Sequence, residues 1–122
     1  MVPASVPKRP PAGGRPTETA TEWTDRGLDF AGQKRYDEAI ANYQKVLALD
    51  DKYAAAYDNW GEALSDQNKN DEAIVKLKKA IELDPTLADA YVNAANTYTK
   101  MKEPDNASLM MEKARALQSA GK

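Results

Sequence analysis

The stretch Asp37-Glu38-Ala39-Ile40 returns unchanged as Asp71-Glu72-Ala73-Ile74, 34 residues further along the chain. Other pairs keep the same separation, namely Gly27 and Gly61, Lys45 and Lys79, Leu49-Asp50 and Leu83-Asp84, and Ala56-Tyr57 and Ala90-Tyr91. A fixed period of this length is typical of a solenoid, in which each unit buries its apolar face against its neighbours. The repeat therefore predicts the fold class and suggests the kind of function, although it names no partner.

Each unit has the pattern of two amphipathic helices. In unit one, Trp23, Gly27 and Phe30 recur at a spacing of three to four residues, which places them on one helical face. A second apolar pattern of the same period covers residues 36–47, and its acidic start, Asp37-Glu38, suits the positive end of a helix dipole. Units two and three repeat the arrangement.

Small residues and prolines mark where the helices approach and where they begin or end. Pro85 cannot continue a helix, and Pro104 suits the first turn of the last one. Small residues that allow paired helices to approach closely are Gly27, Gly61 and Ala95 in the first helices and Ala39, Ala73 and Ala107 in the second helices.

Three motifs stand in register with this period: Trp23-x-x-Arg26-Gly27-x-x-Phe30, then Ala39-x-x-x-Tyr43, then Pro85. The pattern resembles the tetratricopeptide repeat (TPR) over about residues 20–119. The chain departs from the family pattern at Arg26, where leucine is usual, at Asp51, where proline is usual, and at Ala94-Ala95, which replaces a leucine–glycine pair.

The resemblance implies an all-α, right-handed α-solenoid of three helix-turn-helix units. The units cover about residues 20–53, 54–87 and 88–119, within a domain of residues 20–122. Residues 1–19 differ, because they hold five of the seven prolines and more basic than acidic side chains. This composition predicts a disordered basic tail. Its Pro7-x-x-Pro10 is a minimal ligand motif for aromatic grooves, but a plain linker is the favoured interpretation.

The composition excludes much chemistry. Histidine and cysteine are absent, which removes Ser-His-Asp and Cys-His catalysis and the usual zinc sites. The turn at residues 66–70 imitates a calcium loop, but Asp71 replaces its glycine and Leu77 its bidentate glutamate. There is no Gly-rich phosphate loop outside the tail. We therefore expect no enzyme, no cofactor and no bound metal.

Charge and hydropathy also bear on partners. The formal net charge of −2 gives no bulk attraction to nucleic acid. No apolar run approaches the roughly 18 residues of a membrane span, and no signal-peptide core is present. The sequence thus favours a cytoplasmic protein that binds neither nucleic acid nor membrane.

The resemblance further implies that the first helices line a concave, peptide-binding surface. Mapping the family's groove positions onto this chain gives the candidate residues Thr21, Thr24, Asp25, Leu28, Asp58, Asn59, Glu62, Asp66, Asp89, Asn93, Asn96 and Lys100. Five carboxylates against one lysine favour a basic or neutral partner. Lysines concentrate instead on the second helices, at Lys45, Lys76, Lys78, Lys79 and Lys113.

Two comparisons with the family refine this expectation. Asn59 and Asn93 occupy one position in successive units and resemble an amide ladder that holds a peptide backbone, although Asp25 breaks the ladder in unit one. The clamp for the Hsp70 or Hsp90 C-terminal carboxylate needs a set of lysine, arginine and asparagine residues. The corresponding residues here are Thr24, Leu28, Asn59, Asp89 and Asn93, so one of the five matches.

The sequence therefore predicts a non-enzymatic protein-interaction scaffold or adaptor, either a monomer or a weak homodimer. A homo-oligomer built by the repeats and a regulatory fragment of a larger protein are the alternatives. In units one and two, apolar pairs face the next unit, namely Ile40 with Leu47 and Ile74 with Ile81. Unit three has Ser108 and Arg115 there, which predicts a polar end to the array. Apolar residues 109–111 on the same helix favour some dimerisation.

Overall fold

The computed structural model describes residues 19–120, which contain helices and turns and no strand. The helices are α1 (Ala20–Gly32), α2 (Tyr36–Leu49), α3 (Ala54–Asp66), α4 (Asn70–Leu83), α5 (Ala88–Lys100) and α6 (Pro104–Ala120). Consecutive pairs form three helix-turn-helix units. The all-α solenoid predicted from the repeat is thereby confirmed.

Every unit uses the same turn between its two helices. In unit one, the Arg35 N–H donates to the Phe30 carbonyl and the Lys34 N–H to the Ala31 carbonyl, both over 2.9 Å. This pair of bonds is the Schellman motif, which satisfies the last carbonyls of a helix and needs a left-handed residue. The same bonds recur in the other units. The left-handed residues are Lys34 (φ 64°), Asn68 (φ 65°) and Lys102 (φ 63°).

The start of α1 is capped by side chains. The Glu22 N–H donates to Thr19 Oγ1 over 3.2 Å, and the Thr19 N–H donates to Glu22 Oε1 over 2.9 Å. This capping box satisfies two otherwise unpaired backbone donors. Pro104 begins α6, as predicted, because the first helical position needs no N–H donor.

The glycines of the first helices are required by close packing within each unit. A Cβ atom on Gly27 would lie 2.5 Å from Cε1 of Tyr43, and one on Gly61 would lie 2.6 Å from Cγ of Leu77. Tyr43 and Leu77 are fully buried on α2 and α4. The close helix approach predicted from the small residues is therefore confirmed at these two positions.

The apolar core follows the array as two clusters of buried side chains. The first holds Trp23, Ala39, Tyr43, Val46, Ala56 and Ala63. The second holds Ile74, Leu77, Ala94 and Tyr98. Each cluster joins residues of adjacent units, so no unit buries its apolar face alone.

The array is curved, with the first helices on the inner side. Cα atoms of α1 and α3 approach within 8 Å, as do those of α3 and α5. No Cα atom of α4 comes that close to α2 or α6. The exposed side of α1, α3 and α5 is called the concave surface below, and the side of α2, α4 and α6 the convex surface.

No helix within residues 19–120 combines the length and the apolar character needed to cross a bilayer. The tail expected at residues 1–19, with its proline motif, lies outside the described residues except for Thr19.

Candidate functional site

The candidate residues on the first helices differ in exposure. Thr24 and Asp58 are buried, and Asn59 and Asn93 are half-buried. The exposed members are Thr21, Asp25, Leu28, Glu62, Asp66, Asp89, Asn96 and Lys100. The repeat period places all of these residues on one surface. Their burial divides them into exposed side chains, which a ligand can contact, and buried side chains, which pack beneath the surface.

Asp58 is a buried carboxylate at the junction of units two and three. It is 4% exposed, and Asn93 Nδ2 donates a hydrogen bond to its Oδ1 over 2.8 Å. Burial raises the pKa of Asp58 to about 6. The Asn93 hydrogen bond opposes that rise, and the negative charges of Glu62 and Asp89 reinforce it.

Asp58 belongs to a group of interacting carboxylates. The pKa of Glu62 is raised by partial burial and then by the charges of Asp66 and Asp89. Asp58, Glu62, Asp66 and Asp89, the acidic cluster below, therefore concentrate negative charge on α3 and α5. No ion pair within residues 19–120 joins this cluster to a lysine or arginine.

Tyr43 lies beneath the acidic cluster and was not predicted as part of the site. It is 1% exposed on α2. Its pKa is raised to about 12 by burial and then by the charges of Glu62 and Asp58. From its position in the family pattern, Tyr43 is expected to pack against Gly27. That position does not indicate that Tyr43 lies near carboxylates of the next unit.

The two asparagines predicted as a ladder have different surroundings. The Asn93 amide already donates to Asp58. The Asn59 side-chain amide has no hydrogen-bond partner among residues 19–120. The reason lies in unit one, where Thr24 takes the place of Asp58 and donates instead to the Ala20 carbonyl over 2.8 Å. Of the pair, Asn59 alone retains its full capacity to donate and accept.

Lys100 is the one cation among the candidate residues, and it points to the backbone. Its Nζ donates to the Ser65 carbonyl and, over 3.2 Å, to Ser65 Oγ. Buried Thr97 Oγ1 also lies within hydrogen-bond distance of Ser65 Oγ, at 3.0 Å. These bonds join the ends of α3 and α5, so the lysine stabilises the junction without neutralising the acidic cluster. Thr97 was not predicted, because it falls on the buried face of α5.

Within residues 19–120, no three carboxylates are grouped as metal ligands would be. The turn between Asp66 and Asn70, which imitates a calcium loop, is the Schellman turn of unit two.

The convex surface carries lysines, two of which lie over tryptophan rings. Lys45 Nζ lies 5.2 Å from the ring centroid of Trp23, and Lys76 Nζ lies 3.9 Å from that of Trp60. Lys79 pairs with Glu82 over 3.7 Å. The candidate residues of the concave surface are thus mainly acidic, whereas cationic and acidic side chains are about equally frequent on the convex helices.

A curved array of helix pairs with an open inner surface defines the class of helical-repeat solenoid proteins. A model described as TPR repeat matches residues 27–68 and 61–102, and one described as tetratricopeptide repeat matches residues 88–119. The chain belongs to the tetratricopeptide repeat family. No curated protein sequence is significantly similar to it.

Solved structures share this fold. The TPR2B domain of yeast Sti1 in complex with pHsp70 superposes with a TM-score of 0.78 at 27% identity, covering 83% of this chain and 81% of that domain. The second TPR domain of Spaghetti (RPAP3), bound to the HSP90 peptide SRMEEVD, gives 0.75 at 26% identity, with coverages of 82% and 93%.

MamA is similar in fold, with a TM-score of 0.75 at 24% identity. The match covers 84% of this chain but 60% of MamA, so the chain spans less than two thirds of that protein. Family and fold together indicate a protein–protein interaction module.

Proposed function

We propose that this chain is a non-enzymatic adaptor that holds an extended basic or neutral peptide on its concave surface. The observation that carries the proposal is the acidic cluster, in which four carboxylates of two successive units lack a cationic partner in the described residues. Their mutual repulsion is relieved when a cation is bound, so a basic ligand gains electrostatic energy that an acidic one loses.

Asn59 supplies the second element of the proposed site. Its half-buried amide has an unused donor and an unused acceptor, the groups needed to pair with a peptide backbone of any sequence. Glu62 and Asp66 are exposed further along the same helix, and Asp89 is exposed on α5. Main-chain pairing and charge attraction together favour an extended, lysine- or arginine-containing segment.

The chemistry differs from that of a domain bound to the acidic peptide SRMEEVD. At the positions of the family's carboxylate clamp, Thr24 is buried and Asn93 donates to Asp58. Asp89 places a negative charge where the clamp needs a positive one. We therefore expect acidic C-terminal peptides to bind weakly on this surface.

The test uses three peptides of twelve residues, in which serine alternates with lysine, glutamine or glutamate. Isothermal titration calorimetry with the whole chain at low salt should rank lysine above glutamine and glutamine above glutamate. Replacing Glu62 and Asp89 with lysine should weaken the lysine peptide by about tenfold or more, and added salt should weaken it in the unaltered chain.

A matched control changes the same net charge on the convex surface through Glu72→Lys with Glu112→Lys, both exposed residues. This control should alter affinity for the lysine peptide by about twofold at most, because screened charges outside the site act weakly. Tighter binding of the glutamate peptide than of the lysine peptide, by the unaltered chain, contradicts the proposal.

A further inference from the structure

The convex surface has a groove between α4 and α6, on the opposite side of α5 from the acidic cluster. Its volume is about 250 Å³. Apolar side chains form most of its lining: Ile74, Ile81, Tyr91, Ala94, Tyr98 and Met110. The groove exists because no Cα atom of α4 lies within 8 Å of one in α6.

The preceding junction has a large side chain where this groove has a small one. Trp60 of α3 stands one repeat before Ala94 of α5. Its ring packs against the first core cluster, and Lys76 covers it with Nζ 3.9 Å from the ring centroid. In the second junction, Ala94 and Met110 occupy the positions of Trp60 and Lys76. An indole side chain therefore fills the first junction, whereas the second junction has none.

Two exposed lysines line the edges of the groove. They are Lys78 of α4 and Lys113 of α6. Neither has an ion-pair or hydrogen-bond partner in the part of the chain that the structure describes. Lys76 and Lys79 differ, because the first lies over Trp60 and the second pairs with Glu82.

We propose that this groove is a second binding site, which takes one large aromatic or apolar side chain from an acidic protein segment. An apolar floor with a few polar groups at its edges is the usual form of a pocket that anchors a side chain. Carboxylates next to the anchor would pair with Lys78 and Lys113, which fixes the charge of the partner. An aromatic anchor would add contacts with Tyr91 and Tyr98.

This site differs from the concave surface in position, charge and ligand. The exposed members of the acidic cluster, Glu62, Asp66 and Asp89, lie on α3 and α5, whereas the groove lies between α4 and α6. A chain with both sites would hold two segments of opposite charge at once. The second site stands without the first, since none of its lining residues belongs to the acidic cluster.

The test uses the peptides Asp-Glu-Asp-Trp-Glu-Asp-Glu, its Trp→Ala form and Lys-Lys-Lys-Trp-Lys-Lys-Lys, all capped at both ends. Binding is followed by amide chemical shifts of the isotope-labelled whole chain. The first peptide should shift amides near Ala94 and Met110. Its alanine form should bind at least about tenfold more weakly, as expected when an anchor is removed. The lysine peptide should leave those amides unshifted.

Three variants locate the binding. Ala94→Trp places an indole where Trp60 has one and should weaken the acidic peptide about tenfold or more. Lys78→Glu with Lys113→Glu should weaken it about five- to tenfold through surface positions alone. The control Lys52→Glu with Lys69→Glu makes the same charge change at other exposed residues and should have little effect.

If Ala94→Trp disturbs folding, the Lys78/Lys113 variant and the Trp→Ala peptide still test whether the groove binds the acidic peptide. Unchanged affinity in the Lys78/Lys113 variant, or equal binding of the alanine peptide, overturns the proposal. A wild type that is dimeric and becomes monomeric on Ala94→Trp would assign the groove to a second copy of the chain, which also overturns it.

Discussion

The side-chain amide of Asn93 donates a hydrogen bond to the carboxylate of Asp58 over 2.8 Å, and this bond joins unit three to unit two. The preceding junction has no equivalent, because Thr24 replaces the carboxylate and bonds its own helix. One asparagine therefore stabilises a buried acid, while the side chain of its counterpart Asn59 has no hydrogen-bond partner within residues 19–120. The same residue type at one repeat position thus has different surroundings in the two units.

Asp58 makes the free energy of unfolding depend on pH. Its pKa is about 6 in the folded chain against an ordinary value of 3.8. Because the folded state holds this proton more tightly, the stabilisation is complete below pH 4 and is lost as the pH rises through 6. Asp58→Asn removes that titration, so its stability relative to wild type should rise by roughly 1–3 kcal/mol between pH 4 and pH 7.

Urea denaturation at the two pH values measures this difference. Asp29→Asn, at an exposed carboxylate of α1, is the control for the same change of side chain. A constant difference between Asp58→Asn and wild type would contradict the assignment of the raised pKa to Asp58.

The asparagine pair should separate binding from stability. Asn93→Ala leaves the buried Asp58 carboxylate without its donor and should lower the free energy of unfolding by about 1–3 kcal/mol. Asn59→Ala should leave stability nearly unchanged and weaken the alternating lysine–serine peptide by about 0.5–1.5 kcal/mol. Calorimetric titration and urea denaturation of both variants check this. If the two variants lost the same affinity and had the same stability, distinct roles for the two asparagines would be contradicted.

Binding of a basic peptide on the concave surface should strengthen as the pH rises from 5 to 7. Asp58, with a pKa of about 6, loses its proton as the pH rises and so gains negative charge. Titration calorimetry at pH 5, 6 and 7 measures the effect. Asp58→Asn should reduce the pH dependence, whereas a flat profile in the unaltered chain would separate the ligand from this carboxylate.

The left-handed turn residues offer a route to higher stability. Lys34 adopts a φ of 64°, which costs a residue with a Cβ atom more than it costs glycine. Lys34→Gly should therefore stabilise the chain by about 0.5–1 kcal/mol. Asn68→Gly should gain less, since asparagine tolerates this conformation. Urea midpoints at unchanged slope test the ranking, and a destabilised Lys34→Gly would contradict it.

The exposed end of unit three should resist stacking. Ser108 and Arg115 are both exposed and line a space of about 300 Å³ at that end. Ser108→Ile with Arg115→Leu restores the apolar pattern of the other units, and the variant should self-associate while wild type stays monomeric. Sedimentation velocity distinguishes the two. A wild-type dimer that contacts through α6 would show that these polar residues do not protect the end.

The repeat period was sufficient to predict all six helices, the small residues at the helix contacts and the surface formed by the first helices. It could not predict which residues of that surface are free. Thr24, Asp58 and Asn93 occupy groove positions in the family pattern, yet hydrogen bonds within a helix or between units engage them. Each of these bonds depends on the identity of one particular partner residue. A family pattern that averages over units does not specify which side chains form such pairs. The groove at Ala94 was not predicted either, because it depends on the size of one side chain at the contact between two units.

The terminal helix α6 has backbone neighbours in α5 and in no other helix of residues 19–120. In a linear array each segment is held by adjacent segments, so one with a single neighbour opens most readily. Amide hydrogens of α6 should exchange with solvent before those of α3 and α4. When α6 opens, Met110 and Lys113, which form one wall of the convex groove, would move with it. The carboxylates of α3 and α5 would stay in place. The groove would thus open more often than the acidic cluster, and a partner bound in the groove would slow hydrogen exchange throughout the last helix.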